Sequence, residues 1–284
     1  MTRRLFLTGG SGLLGRQVRQ VFTEAGWQVE APTHGELDLT DLPAVAARVA
    51  AAAPDVIVHC AAQRRPDLCE GGAPEVEALN VALPEVLARS GCPMIHLSTD
   101  YVFNGANAPY EPMARRCPLN AYGRQKAAAE AAIEGFEQVL ILRVPILFGP
   151  TPDWRASAVT VLAANLAEAR GACVKMDDTA IRYPTFTRDI ARQLLVLAPA
   201  LCERRVRGIF HYSGEEAMTK FQMGQTMAPL IGCSPGQCLP DYTPPAVPRP
   251  YDCHLSTRTL QQSGLFVRPT PFATALIETL VGGR

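Results

Sequence analysis

The chain has 284 residues, 48% of them hydrophobic, and its 27 lysines and arginines balance 27 aspartates and glutamates. At roughly 150 residues per domain this is one large domain or one and a half, and the even charge argues against nucleic acid or an anionic membrane surface as a partner. No apolar run approaches the ~18 residues of a membrane span, the N-terminus enters a strand without a signal peptide's apolar stretch, and nine cysteines with no C-x-x-C pair read as free thiols of a cytoplasmic protein.

In chain order, Leu5, Phe6 and Leu7 read as a short buried strand, and Thr8 opens a glycine turn, TGGSGLLG, that runs into a helix pattern carried by Leu13, Leu14, Val18 and Val21. Gly9 allows the tight turn, Gly12 lets a phosphate approach the backbone, and Gly15 lets helix pack on strand; Ser11, Leu13 and Leu14 complete the turn. The helix N-terminus adds unpaired N–H groups and about half a positive charge. A dinucleotide pyrophosphate is expected there. Next come a strand at 27–31, a helix at 42–53, a strand at 55–60, and a helical region to about residue 89. Pro74 and Pro84 interrupt that region, and Pro84 suits the first turn of a second piece. A strand at 94–98, a helix at about 120–135 and a strand at 139–143 follow. Such alternation forces crossovers, so the fold class is α/β with a doubly wound parallel sheet.

Beyond Gly149 the regularity fails. Helices are expected at 157–169, around 190–197, around 218–231 and at 271–281, with a proline-rich stretch at 235–250. The strand at 208–212 is expected to rejoin the main sheet. Residues 1–150 are therefore read as the dinucleotide-binding domain, its sheet completed by about 187–214, and 151–186 with 215–284 as a smaller C-terminal substrate lobe. Substrate should lie between the two, at the C-terminal strand ends.

Tyr122 and Lys126 stand four apart on a predicted helix and share a face. At ~4 Å and an effective dielectric of ~20, the ammonium would stabilise a phenolate by about 4 kcal/mol, which brings a phenol of pKa ~10 toward neutrality. Ser98 and Thr99 place a hydroxyl at the end of a strand, where a carbonyl could receive a hydrogen bond while taking a proton from Tyr122. The second strand ends in Pro32, Thr33 and His34, with no carboxylate to grip a ribose 2′-hydroxyl. Arg16 and His34 suit a 2′-phosphate, so NADP is favoured over NAD, and Glu30 is the residue that could reverse this. Asp38 and Leu39 are placed at the adenine, and Cys60, Ala61 and Ala62 beside the diphosphate and the nicotinamide ribose. Arg64, Arg65 and Arg182 are candidate anion holders near the cleft. The five histidines are scattered, so no metal site is expected.

These stretches carry a resemblance. TGGSGLLG, DLTD at 38–41, HCAA at 59–62, STDYVFNG at 98–105, PLNAYGRQKAAAE at 118–130 and RPYDCHLSTRTL at 249–260 resemble the extended short-chain dehydrogenases/reductases, specifically the dTDP-4-dehydrorhamnose reductase group. The resemblance implies a Rossmann domain, a catalytic triad of Thr99, Tyr122 and Lys126, with Lys126 also holding the ribose, and Arg249 on a nucleotide-sugar diphosphate. It implies NADPH-dependent reduction of a 4-keto group. VIVHCAAQRRPD (56–67), LRVPILFG (142–149), SAVTVL (157–162), RYPTFTRD (182–189) and GIFHYSGEEAMTKFQM (208–223) resemble instead the regulatory β subunit of methionine adenosyltransferase, a relative that binds NADP and partners the catalytic subunit. Gln63-Arg64-Arg65 is more basic than the corresponding stretch of the sugar reductases, and the chain stops at Gly282-Gly283-Arg284, short of that subunit's extended tail. Both functions stay open at this point, with a nucleotide sugar, the methionine adenosyltransferase catalytic subunit and a second copy of the chain as the partners considered.

Overall fold

Residues 2–281 are described by the computed structural model; Gly282, Gly283 and Arg284, the last residues of the expected substrate lobe, lie outside them. The first half alternates β1 (Arg4–Thr8), α1 (Leu13–Glu24), β2 (Gln28–Glu30), α2 (Leu42–Ala52), β3 (Val56–His59), three short helices α3 (Pro66–Cys69), α4 (Pro74–Glu77) and α5 (Leu83–Arg89), β4 (Met94–Thr99), α6 (Ala121–Ile133) and β5 (Val139–Val144). The second half holds β6 (Leu147–Phe148), α7 (Val161–Glu168), β7 (Val174–Asp177), β8 (Thr185–Phe186), α8 (Thr187–Cys202), β9 (Gly208–His211), α9 (Lys220–Met227), β10 (Cys238–Asp241), α10 (Arg258–Gln262) and α11 (Phe272–Leu280). No helix among the described residues is long and apolar enough to cross a membrane.

Six parallel strands form the doubly wound sheet in the order β2-β1-β3-β4-β5-β9, with β9 joining β5 through Leu140↔Gly208 and Ile141↔Ile209. Alternation along each strand sorts the core. Leu5, Leu7, Val56, Val58, Ile95 and Leu140 pack against α1 and α8 on one face, while Phe6, Ile57, Met94 and Ile141 pack against α2, α5 and α6 on the other. Because β2 lies on one side of β1 and β3 on the other, the winding reverses there and opens a crevice above the carboxyl ends of β1 and β3.

The region from 66 to 89 is broken more often than the sequence pattern suggested, since Pro66, Pro74 and Pro84 each open a helical piece. Residues 78–82 form a π-helical turn directly before Pro84. A proline cannot donate to the carbonyl four residues back, and a wider turn absorbs that missing donor. The turn carries the buried Asn80.

A second apolar cluster, with Phe148, Leu162, Leu166, Met176, Met223, Met227, Phe272 and Leu276, joins α7, α9 and α11. It is laced by two small parallel pairs, β6 with β8 and β7 with β10, which local pattern did not reveal. Pro240 is tolerated in β10 because the pair is two-stranded and β10 is an edge.

Candidate active site

A cleft of about 960 Å³ runs along the C-terminal edge of the sheet, from the turn after β1 to the wall formed by the second cluster. Gly9 takes a φ of +73°, and a Cβ on Gly15 would be driven into the Gly9 carbonyl, so the turn can close only with glycine at both positions. The N–H groups of Leu13, Leu14 and Gly15, the first three of α1, have no intrahelical partners, whereas Arg16 N already donates to the Gly12 carbonyl at 3.1 Å. Gly9, Ser11, Gly12, Leu13, Leu14, Gly15, His34, Asp38, Leu39, Cys60, Ala61 and Ala62 all line the cleft. The residues present thus fit a dinucleotide.

Arg16 is placed differently from the expectation. It is absent from the cleft lining, and its guanidinium donates to the Ser11 carbonyl at 2.6 Å and to Thr151 Oγ1 at 3.2 Å. Glu30 is engaged by Arg48 at 2.6 Å, and the Asp38 carboxylate accepts from the backbone and hydroxyl of Thr40 at 2.9 and 2.8 Å. Glu30 is thus committed to Arg48 while Asp38 stays in the cleft lining, and His34 is the ionisable residue of the 31–35 stretch that lines this end.

The catalytic candidates are set by α6 and the end of β4. Asn120 caps α6 by accepting from Gly123 N at 2.9 Å, and Tyr122, Lys126 and Glu130 then fall on one face. Tyr122, Lys126 and Thr99 all line the cleft. Burial pushes the Tyr122 phenol up from its ordinary value; a hydrogen bond with the Thr99 side chain and the Arg64 charge pull it back. A raised pKa keeps the phenol a loaded proton donor at neutral pH.

The expected tuning of Tyr122 by Lys126 is not what this arrangement shows. The Lys126 ammonium binds His96 Nε2 at 2.9 Å and the Leu97 carbonyl at 2.7 Å, and the cation that acts on the phenol is Arg64. Buried at 2% exposure, the ammonium takes the acceptors within its reach at the end of β4. Burial lowers its pKa to about 8, against the opposing influence of Glu130 and Cys60. Ser98 is likewise redirected: its hydroxyl donates to Glu130, away from any carbonyl in the cleft.

Toward the second cluster the lining turns cationic, with Arg64, Arg65, Arg155, Arg182, Lys220 and Arg249. Three of these are committed to structure, Arg155 being held by Glu168. Arg182 donates to the carbonyls of Ile181 and Pro250 at 2.8 and 2.9 Å, and Arg64 reaches across the cleft to the Ala156 carbonyl. Arg249 pairs with Asp67 at 3.5 Å, while its buried Nε has no partner. Lys220, which no motif had marked, has its pKa lowered to about 8 by burial and by the neighbouring Arg249 and Arg182. An orphaned guanidinium N–H beside a partly desolvated ammonium is a place for an anion.

Asp100 was also missed as a separate group, although it sits inside STDYVF. It is buried, accepts from the Thr99 hydroxyl at 3.0 Å, and burial raises its pKa to about 6 despite the Arg182 charge. The folded state therefore binds the proton more tightly than the unfolded chain does, so the associated stability is present below pH 3.8 and is lost as pH rises through about 6. Asp100→Asn keeps an acceptor for Thr99 and removes that loss. It is expected to be more stable than the natural chain by about 3 kcal/mol at pH 7.5 and about equal near pH 4. Urea midpoints at the two pH values check this, and a gap of the same size at both would refute the assignment.

The family described as RmlD substrate binding domain matches residues 3–281. Methionine adenosyltransferase 2 subunit beta of Danio rerio is 38% identical over 292 residues, covering 98% of this chain and 90% of that protein. A probable dTDP-4,6-dihydroxy-2-methyloxan-3-one 4-ketoreductase of Streptomyces antibioticus is 32% identical over 244 residues, covering 84% of this chain and 80% of its own. Among solved structures, dTDP-4-dehydrorhamnose reductase of Bacillus anthracis in complex with NADP superposes with a TM-score of 0.87 at 22% identity, over 99% of this chain and all of that one.

Proposed function

Because the chain belongs to the RmlD substrate binding domain family, we propose that it is an NADP(H)-dependent oxidoreductase that reduces the 4-keto group of a nucleotide-linked deoxysugar. The observation that carries the reading is one cleft holding a glycine cradle at one end, Tyr122 with Thr99 at its middle and, at the other, the orphaned Nε of Arg249 with the Lys220 ammonium. A dinucleotide, a carbonyl and a second diphosphate would each find matching chemistry in that order. The segments 151–186 and 215–281 supply the far wall and act as the substrate lobe.

In this reading the glycine turn and the N-terminus of α1 hold the cofactor pyrophosphate, with His34, Asp38 and Leu39 around the adenosine end. The bound nicotinamide supplies hydride to the carbonyl carbon. Tyr122 donates its hydroxyl proton to the carbonyl oxygen, so the O–H bond of the phenol breaks as the alcohol O–H forms. The phenolate left behind is stabilised by the Thr99 hydroxyl and the Arg64 charge. Arg249 and Lys220 fix the sugar diphosphate and so orient the ring.

Mixing the protein with NADPH and a dTDP-4-keto-6-deoxysugar should consume the reduced cofactor, followed by its absorbance. No consumption above the enzyme-free control would sink the reading.

A second reading has its own observation, the 38% identity over nearly the whole chain to methionine adenosyltransferase 2 subunit beta. Under it the cleft holds NADP for structural reasons and the chain docks on the catalytic subunit. Co-expression and size exclusion decide, since two separate peaks at micromolar concentration leave this reading without support.

A further inference from the structure

Thr8, His59 and His96 occupy facing positions on β1, β3 and β4, in the register Thr8↔His59 and His59↔His96. All three point to the α5–α6 face, one layer above the apolar row of Phe6, Ile57 and Met94. They form a chain of contacts. Thr8 Oγ1 lies 2.6 Å from His59 Nδ1, the two imidazoles stand 5.1 Å apart between ring centroids, and His96 Nε2 lies 2.9 Å from Lys126 Nζ. Thr8, His59 and His96 are each at most 1% exposed. Three polar side chains in the sheet interior forgo apolar packing and call for a physical reason.

The ammonium fixes the His96 tautomer. An ammonium has only protons to offer, so His96 Nε2 presents its lone pair and the ring proton sits on Nδ1, which is buried without a partner. Thr8 Oγ1 accepts from Ala61 N and pairs with His59 Nδ1. His59 Nε2, like His96 Nδ1, is buried without a partner. Burial depresses the basicity of both rings, His59 to a pKa of about 3. They are neutral acceptors throughout the physiological range.

We propose that His96 is a positioning residue for Lys126, a neutral imidazole locked as the Nδ1–H tautomer whose lone pair keeps the buried ammonium charged beneath the cleft floor, with His59 and Thr8 holding it in place. The groups facing Lys126 are His96 from β4, His59 and Cys60 from β3 and its end, and Glu130 and Tyr122 from α6. Glu130 and Cys60 favour the charge and burial opposes it. His96 Nε2 is one of its two direct acceptors, so its loss tips the balance toward the neutral amine. The consequence for turnover rests on the reductase reading above; the consequence for the lysine does not.

The chain has three lysines, Lys126, Lys175 and Lys220, so lysine labelled at Cε gives three NMR signals, assigned with Lys175→Arg and Lys220→Arg. His96→Leu should lower the titration midpoint of Lys126 by a pH unit or more, and His96→Gln, whose side-chain oxygen reaches the same ammonium, should restore it. In the natural chain, long-range proton–nitrogen spectra should show His96 protonated on Nδ1 and not titrating between pH 5 and 8, a readout that does not depend on either variant folding. With charged Lys126 taken as the ribose holder, cofactor capture needs the ammonium, so the alkaline limb of kcat/KM should move with the lysine and above the midpoint fall about tenfold for each pH unit by which that midpoint drops. A Lys126 midpoint unchanged in His96→Leu, or a natural chain with the His96 proton on Nε2, overturns the proposal. A shifted lysine in a protein with no reductase activity supports it and removes only the reductase reading.

Discussion

Tyr122→Phe is expected to lower kcat by about 10²–10⁴-fold, the usual range for a positioned proton donor, with thermal unfolding left in place. The ring is half-buried and packs edge-on against Tyr101 at 6.1 Å between centroids, and phenylalanine conserves that contact. What it loses is the hydroxyl that meets Thr99 at the edge of the cleft. Burial holds the phenol protonated, so at neutral pH the donor needs no prior activation. The Thr99 bond and the Arg64 charge count in the next moment, when a phenolate must be tolerated. Steady-state reduction of a dTDP-4-keto-6-deoxysugar by the variant and the natural chain measures the ratio. A ratio near one would remove Tyr122 from the chemistry.

The second large effect is on stability. Glu130, one turn beyond Lys126 on the same face of α6, is fully buried and bidentate with Arg143 of β5 at 2.9 and 2.6 Å. Arg116 adds a contact at 2.6 Å and Ser98 donates its hydroxyl. Burial alone would raise the carboxyl pKa, but these donors and charges outweigh it and hold it below the ordinary value. The pair's stability is therefore present above the unfolded pKa of 4.5 and lost as pH falls below it. Arg143 in turn bonds the Pro112 carbonyl at 2.9 Å and His211 at 3.2 Å, so it joins β5 and β9 to the segment before α6.

Arg143→Met should cost about 3–5 kcal/mol at pH 7, because it strands a desolvated carboxylate served only by Arg116 and the Ser98 hydroxyl. At ~2–4 °C per kcal/mol this lowers Tm by about 10 °C. The double variant Glu130→Leu with Arg143→Met should recover most of the loss, since removing both charges also removes their desolvation. Calorimetry on the three proteins tests it, and a single variant within about 1 kcal/mol of the natural chain would show that the pair is not what fixes α6.

The doubly wound sheet was legible because its signals are local. Alternating apolar strands and 3.6-period helices report burial over a few residues, and glycines at 9 and 15 state a backbone requirement that no other residue meets. The β6–β8 and β7–β10 pairs were not legible, since each joins short segments far apart in the chain that have no period long enough to read. The site divided in the same way. Tyr122 and Thr99 could be placed from spacing, whereas Lys220 and the titrating role of Asp100 could not.

The order of residues by itself determined where the chain turns, which faces are apolar, where a pyrophosphate can sit, and that Tyr122 and Lys126 share a helical face. Only the tertiary structure decided what each long polar side chain holds: Lys126 on His96 and Leu97, Ser98 on Glu130, Arg182 on backbone carbonyls, Arg16 outside the cleft. The reason is physical. Backbone conformation is set by neighbours within a few residues, but a flexible charged side chain goes to whichever buried acceptor satisfies it, and the fold alone brings those acceptors within reach.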